Sequence, residues 1–295
     1  MDLPEPEAGP GEVRIRVHAA GVNPTDTLRR SGAVATRYKD VPPPYVPGMD
    51  AAGELDQIGE GVSTDLPIGE HVMAVVVPDA AHGAYAEWIV VPAESVARIP
   101  AGTTDAEAAS LPMNGLTARL ALDLLDLSPG QSIAITGAAG AVGGYAIQLA
   151  KAEGLRVIAD AAPRDEQLVK ELGADVVLER GDDLPQRVRA AAPDGVDGLI
   201  DGAVFDRRAL PAVRDGGRIA TLRSFTEPGA RGITFHPVMV VDYAREQAKL
   251  DRLRQQVEDG QLTLRVARTL PAEQAAEAHR LLEAGGVRGR LILQF

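Results

Sequence analysis

The run Gly137-Ala138-Ala139-Gly140-Ala141-Val142-Gly143 carries the plainest chemistry in this sequence. An apolar stretch, Ile133 to Ile135, precedes it, and Ala146, Ile147, Leu149 and Ala150 follow at helical spacing. A strand that enters a helix through such a turn leaves the first N–H groups of that helix unpaired and converging on one spot, where the helix dipole also favours negative charge. Pyrophosphate suits that place. The string Ala138 to Gly143 reads A-x-G-x-x-G, one alanine away from the glycine pattern of dinucleotide-binding turns. A second apolar strand, Val157 to Ala159, leads into VIADAAPRDEQL, where the ribose 2′ position would be read. Arg164 there suits a 2′-phosphate, whereas an acid such as Asp160 suits a 2′-hydroxyl. NADPH is the favoured nucleotide, with NADH as the alternative.

Other reactive constellations are scarce. The chain has no cysteine, which removes thiolate catalysis, disulfides and thiolate metal sites together. Its histidines, His18, His71, His82, His236 and His279, lie far apart with no H-x-x-x-H spacing, and each reads as a surface or packing residue rather than a metal ligand. No metal is expected. A net charge of -12 argues against nucleic acid or an anionic membrane surface as partner, leaving a small molecule. With 45% apolar and 24% charged residues the chain reads as globular, and no apolar run approaches the roughly 18 residues needed to span a bilayer. The opening MDLPEPEAGPGE is acidic and proline-rich where a signal peptide is basic and then apolar, so the expected location is cytoplasmic.

The elements that must position these residues follow from periodicity. GEVRIRVHA alternates Val13, Ile15 and Val17 with polar residues, the pattern of a half-buried strand in an antiparallel sheet. Asn23-Pro24-Thr25-Asp26 combines an N-cap, a proline at the first helical position and an acid at the third, so a short helix opens there and a capping box accounts for Asn23 and Asp26. Thr36 to Pro47 is too rich in proline for a regular element and reads as a surface loop. Short apolar runs broken by Gly59, Gly61, Gly69 and Gly83 then suggest a small β-barrel or sandwich ending near Pro100. A helical stretch, DAEAASLPMNGLTARLALDLLDL, leads into the glycine turn. Beyond it strands at Ile133–Thr136, Val157–Ala159, Val176–Leu178, Leu199–Asp201, Ile219–Leu222 and Ile233–Phe235 alternate with helices, as in a parallel sheet covered on both faces. The expected organisation is a first domain over 1–100, a dinucleotide-binding domain over 101–236, and a return to the first domain over 237–295.

The segments GPGEVRIRVHAAGVNPTDTLRRSG, PYVPGMDAAG, IGEHVMA, LPMNGLTA, GAAGAVGGYAIQLAKAEG, KELGADVVL and GRLIL occur in this order along nearly the whole chain. In them the sequence resembles the medium-chain dehydrogenase/reductases, specifically the zinc-free quinone oxidoreductase-like branch. The resemblance implies an α/β fold, a Rossmann doubly wound parallel sheet inserted in a GroES-like β-barrel catalytic domain, and a homodimer. Zinc-dependent relatives hold their metal with a cysteine near the Asn23 position and a histidine in a Gly-His-Glu motif. Here the motif reads Gly48-Met49-Asp50 and cysteine is absent, so zinc is not expected. Members commonly open with a further strand before the point where this chain begins, so an unpaired sheet edge is expected beside Val13 to Val17.

Without a Lewis acid, alcohol oxidation loses the group that would stabilise an alkoxide. Hydride delivery to an acceptor already electrophilic remains: a quinone or an α,β-unsaturated carbonyl. The expected function is therefore a zinc-independent NAD(P)H-dependent quinone or enone reductase. The alternatives are a pathway-specific enoyl reductase and a nucleotide-binding member with vestigial catalysis, acting as sensor or structural partner. By resemblance Asn23 lies near the nicotinamide or substrate and Thr117 near the carboxamide, although Thr117 reads equally as a helix-interior hydroxyl bonded to the main chain. Tyr38 or Tyr45 on the proline loop could replace a tyrosine donor that relatives carry nearer Val34. Arg290 takes the place of a common lysine and is expected to approach the cofactor.

Overall fold

The computed structural model describes residues 3–35, 40 and 42–295. Tyr38 lies outside the described residues. The chain divides into two compact units: Met1–Met113 with Val241–Phe295, and Asn114–Val240. The cuts fall inside a helix and after the last parallel strand. Among the described residues no helix is long and apolar enough to cross a membrane.

The first unit is built on β1 (Glu12–Gly21), whose alternation holds: Val13, Ile15 and Val17 are buried, and each such side chain removes enough apolar surface to stabilise the fold by about 1.5–3 kcal/mol. Helix α1 (Pro24–Arg30) follows, then β2 (Asp50–Ile58), β3 (His71–Val75), β4 (Trp88–Pro92) and β5 (Val96–Arg98). The stretch expected as one helix is two, α2 (Asp105–Ala108) and α3 (Pro112–Leu125). Pro112 explains the break, since its ring disfavours the α conformation at Leu111 before it. Near the end of the chain come α7 (Gln247–Glu258), β12 (Val266–Pro271), α8 (Ala275–Ala284) and β13 (Arg290–Gln294). The sheet runs β12-β13-β1-β2-β3-β5, with β4 also on β1.

That pairing corrects one expectation. β1 is flanked on both sides: β2 pairs with it over most of its length, β4 covers Glu12 to Arg16 and β13 covers Ala19 to Gly21. Among the described residues no unpaired edge runs beside Val13 to Val17, because β4 pairs with Glu12 to Arg16 and the Val17 amide bonds the Glu87 carbonyl.

The second unit contains β6 (Ser132–Thr136), α4 (Ala141–Ala152), β7 (Arg156–Ala161), α5 (Glu166–Glu171), β8 (Val176–Glu179), α6 (Leu184–Ala191), β9 (Val196–Asp201), β10 (Val213–Thr221) and β11 (Thr234–Pro237). Every pairing is parallel, in the order β11-β10-β9-β6-β7-β8. Chain order therefore reverses between β6 and β9. In such sheets ligands bind outside the carboxyl ends of the strands at that reversal.

Candidate active site

In the second unit the glycine turn leaves β6 at this reversal. Gly137 sits at φ +71°, in the left-handed region glycine tolerates, and a side-chain carbon on it would lie 3.0 Å from the carbonyl of Gly202. The N-cap of α4 is Gly140, which offers no side chain to cap the first turn, the end of a helix where anions are favoured. Gly143 lets the helix approach the turn: a β-carbon on it would be 2.5 Å from the Gly137 carbonyl oxygen and 2.7 Å from the Ala138 Cα. Thr136 Oγ1 donates to Asp201 Oδ1 at 2.9 Å and accepts from the Ala203 amide, tying the ends of β6 and β9 together. The Ala141 and Val142 amides open the helix beyond this rigid frame. The arrangement fits a dinucleotide pyrophosphate.

Asp160 has another task than the one its type suggests. It is 1% exposed; Oδ1 accepts from the Ala138 amide at 2.9 Å and Oδ2 from Arg180 Nε at 2.8 Å. The carboxylate faces the turn and tethers it, because its position within β7 directs it inward rather than off the strand end. Arg180, at the end of β8, escaped notice in the sequence; the acid placed one residue early was the available signal. Arg164 follows β7 in a short 3-10 turn, its side chain 73% exposed and only 4.0 Å from Asp165 Oδ2. Thr117 is buried on α3. Ala139 is buried within the turn.

In the first unit Asn23 is fully buried at the head of α1. Its Nδ2 donates to Asp50 Oδ2 at 2.8 Å and to the Gly21 carbonyl at 3.3 Å, while its Oδ1 is buried with no hydrogen-bond partner. Asp50 also accepts from the Met113 amide at 2.6 Å and pairs with Arg290 Nη2 at 2.7 Å. The cofactor role expected of Arg290 meets a different arrangement: the guanidinium is 4% exposed and committed to a carboxylate 240 residues away. Asp26 accepts from the Asn23 and Gly48 amides at 2.8 and 2.9 Å and from the Tyr85 hydroxyl at 3.2 Å. Tyr85 meets His279 Nε2 at 3.2 Å. Burial pushes both carboxyls above the usual range, against the lowering effect of their hydrogen bonds and of Arg290, and pushes the Tyr85 phenol up as well. Tyr45 is 47% exposed.

His279 gives the network a measurable pH dependence. Burial first, and the Arg30 charge second, lower its pKa, so the folded protein favours the neutral ring. The unfolded chain takes up a proton near the ordinary value of about 6.5, so this contribution to stability is full above that pH and is lost as pH falls toward the folded value. Burial lowers His82 and His236 likewise, while Asp105 raises His71 and opposes them. His279→Gln is expected to flatten the fall in Tm between about pH 8 and pH 5.5; a slope equal to that of the parent would show that His279 does not carry it.

A six-stranded parallel sheet with a glycine turn at its strand-order reversal, together with a mainly antiparallel unit made from both ends of the chain, is the architecture of a nucleotide-dependent oxidoreductase of the Rossmann and GroES-like type. Residues 9–101 match the alcohol dehydrogenase GroES-like domain, and residues 172–293 match the family described as zinc-binding dehydrogenase. A zinc-type alcohol dehydrogenase-like protein of Staphylococcus epidermidis is 30% identical, across 99% of this chain and 93% of its own. An NADPH-dependent alkenal/one oxidoreductase, chloroplastic, of Arabidopsis thaliana is 31% identical, across 98% and 73%. The quinone oxidoreductase structure from Coxiella burnetii superimposes with a TM-score of 0.86 at 29% identity, covering 100% of this chain and 94% of that one. The chain belongs to the medium-chain dehydrogenase/reductase superfamily of NAD(P)H-dependent oxidoreductases, in its quinone oxidoreductase-like and alkenal reductase branch.

Proposed function

We propose that the protein is an NADPH-dependent reductase that delivers hydride to a quinone or an α,β-unsaturated carbonyl without catalytic zinc. The observation that carries the nucleotide choice is the end of β7. Both oxygens of Asp160 are already engaged, by the Ala138 amide and by Arg180, and the carboxylate is 1% exposed, which turns it away from a ribose 2′-hydroxyl. The exposed Arg164 guanidinium supplies positive charge on the turn that follows β7, and Arg180, itself 43% exposed in its side chain, supplies more. A 2′-phosphate is the group such guanidinium forks hold best.

NADPH held on the glycine turn supplies the hydride. For the zinc-free reading the support is the donor set: Asn23 and Asp50 are bonded to one another, and Arg290 fills the charge of the carboxylate. Negative charge developing on a reduced enone or quinone oxygen then needs hydrogen-bond donors.

Steady-state oxidation of NADPH and NADH with para-benzoquinone, phenanthrenequinone and a crotonyl thioester tests the reading. NADPH is expected to be preferred, and Arg164→Ala to lower kcat/KM for NADPH on the order of tenfold while leaving NADH turnover in place. An unchanged preference in that variant would remove Arg164 from the site. Tight NADPH binding with no turnover on any acceptor would favour the vestigial, sensing member instead.

A further inference from the structure

We propose that His18, His71 and Asp105 form a binding site for one divalent transition-metal ion, a site of two imidazoles and one carboxylate. It is independent of the reductase reading and uses none of the residues assigned above to nucleotide or substrate.

The three residues come from separate elements of the first unit: His18 from β1, His71 from the start of β3 and Asp105 from the start of α2. His18 Nδ1 lies 2.8 Å from Asp105 Oδ2, and His71 Nδ1 lies 2.8 Å from Asp105 Oδ1. One atom from each of the three sits within 4.8 Å of the others. The rings are tilted by 60° at a centroid separation of 5.6 Å, so they converge on the carboxylate rather than stack. Ligand atoms about 2.0–2.1 Å from a tetrahedral ion are about 3.3 Å apart, so atoms that now lie within 4.8 Å of one another must draw together around the ion.

The frame holding the ligands is stiff. β1 lies between paired strands, β3 pairs with β2 and β5, and the turn before Asp105 is closed by reciprocal hydrogen bonds between Thr104 and Glu107. Negative charge around it is in excess: Glu54 faces His71 across the β2–β3 ladder and Glu70 precedes it in sequence, with Glu70 partly answered by Arg98. The side chains of His18 and His71 are 32% and 48% exposed, which gives an ion a path in and leaves positions for water.

Imidazole with carboxylate and no thiolate suits zinc, cobalt, nickel or copper better than calcium or magnesium, which want oxygen ligands throughout. A ring carrying both protons must give one up to ligate through Nδ1, so binding releases protons from the protonated fraction and weakens in acid. An ion here would cross-link β1, β3 and α2. Because α2 leads directly to Met113, whose amide holds Asp50, the clip would brace the segment that closes the buried Asp50 network.

The test uses the whole chain without a histidine tag, stripped with chelator and titrated with Zn²⁺ or Co²⁺ near neutral pH. One equivalent is expected to bind in the micromolar range or tighter, to release protons into a weak buffer and to raise Tm; Co²⁺ should give visible absorption bands of nitrogen and oxygen ligation. His71→Gln and Asp105→Asn should each weaken binding on the order of tenfold or more and abolish the metal-dependent rise in Tm. His236→Gln, at a histidine bonded to Thr234 in the other unit, should bind as the parent does. Absence of binding at about 0.1 mM metal, or equal binding in the His71 and Asp105 variants when both retain the parent's circular dichroism, would overturn the site. So would a loss in His236→Gln as large as that in His71→Gln.

Discussion

Arg290→Met is expected to destabilise the protein by about 3–5 kcal/mol, measured by denaturant unfolding at neutral pH. The cause is what the substitution leaves behind. Asp50, fully buried, would be left with the Asn23 amide and the Met113 N–H and without its cation. Removing one member of a buried pair costs far more than the pair is worth, since an unanswered charge in the interior cannot recover its hydration. Combining the change with Asp50→Asn should therefore restore much of the loss, and the double-mutant cycle measures the coupling. The penalty should also depend on pH. Burial raises the Asp50 carboxyl and Arg290 is the strongest group lowering it, so without the arginine the folded pKa climbs further. A carboxyl whose folded pKa lies above its unfolded value favours the fold below the unfolded value, near 3.9, and loses that advantage as pH rises through the folded one. The variant should thus recover relative to the parent on acidification. A penalty that is constant with pH, or one that Asp50→Asn does not relieve, would show that lost packing of the arginine stem is the cause.

The second large effect separates two glycines of one turn. Gly143→Ala places a β-carbon 2.5 Å from the Gly137 oxygen and 2.7 Å from Ala138 Cα, both backbone atoms that cannot swing aside. It is expected to cost about 1–3 kcal/mol of stability by pushing α4 off the turn, and to lose nucleotide binding with it. Gly140→Ala meets only the Gly137 oxygen, at 3.0 Å, so the fold should absorb it within about 1 kcal/mol. Its methyl group would nonetheless stand where phosphate must approach the helix cap, so NADPH affinity is expected to fall on the order of a hundredfold with Tm almost unchanged. Calorimetric titration with NADPH and thermal unfolding of both variants provide the comparison. A Gly140→Ala protein that binds NADPH as tightly as the parent would place the pyrophosphate elsewhere.

The two glycines also show where reading a sequence succeeds. Turn chemistry and periodicity depend on residues a few positions apart, so the glycine turn, the six parallel strands and the buried face of β1 were legible in the letters themselves. Pro112 was legible too, but its effect was missed when an apolar helical pattern ran through it. Asp160 marks the boundary of the method. Its position announced an acid near a strand end, while only the arrival of Arg180 from the next strand and of the Ala138 amide decided that the acid faces inward.

By itself the sequence determined the two kinds of sheet and the glycine turn, because strand period, glycine spacing and helix opening are local properties that survive without knowledge of the fold, and its ordered motifs carried the resemblance to the reductase family. Tertiary structure alone decided which distant groups share a site. It set Arg290 against Asp50, joined Asp26 to Tyr85 and His279, and brought His18 and His71 onto one carboxylate, His18 from 87 positions away. These contacts depend on strand order and register, which place side chains within 3.2 Å through pairings that no spacing along the chain encodes.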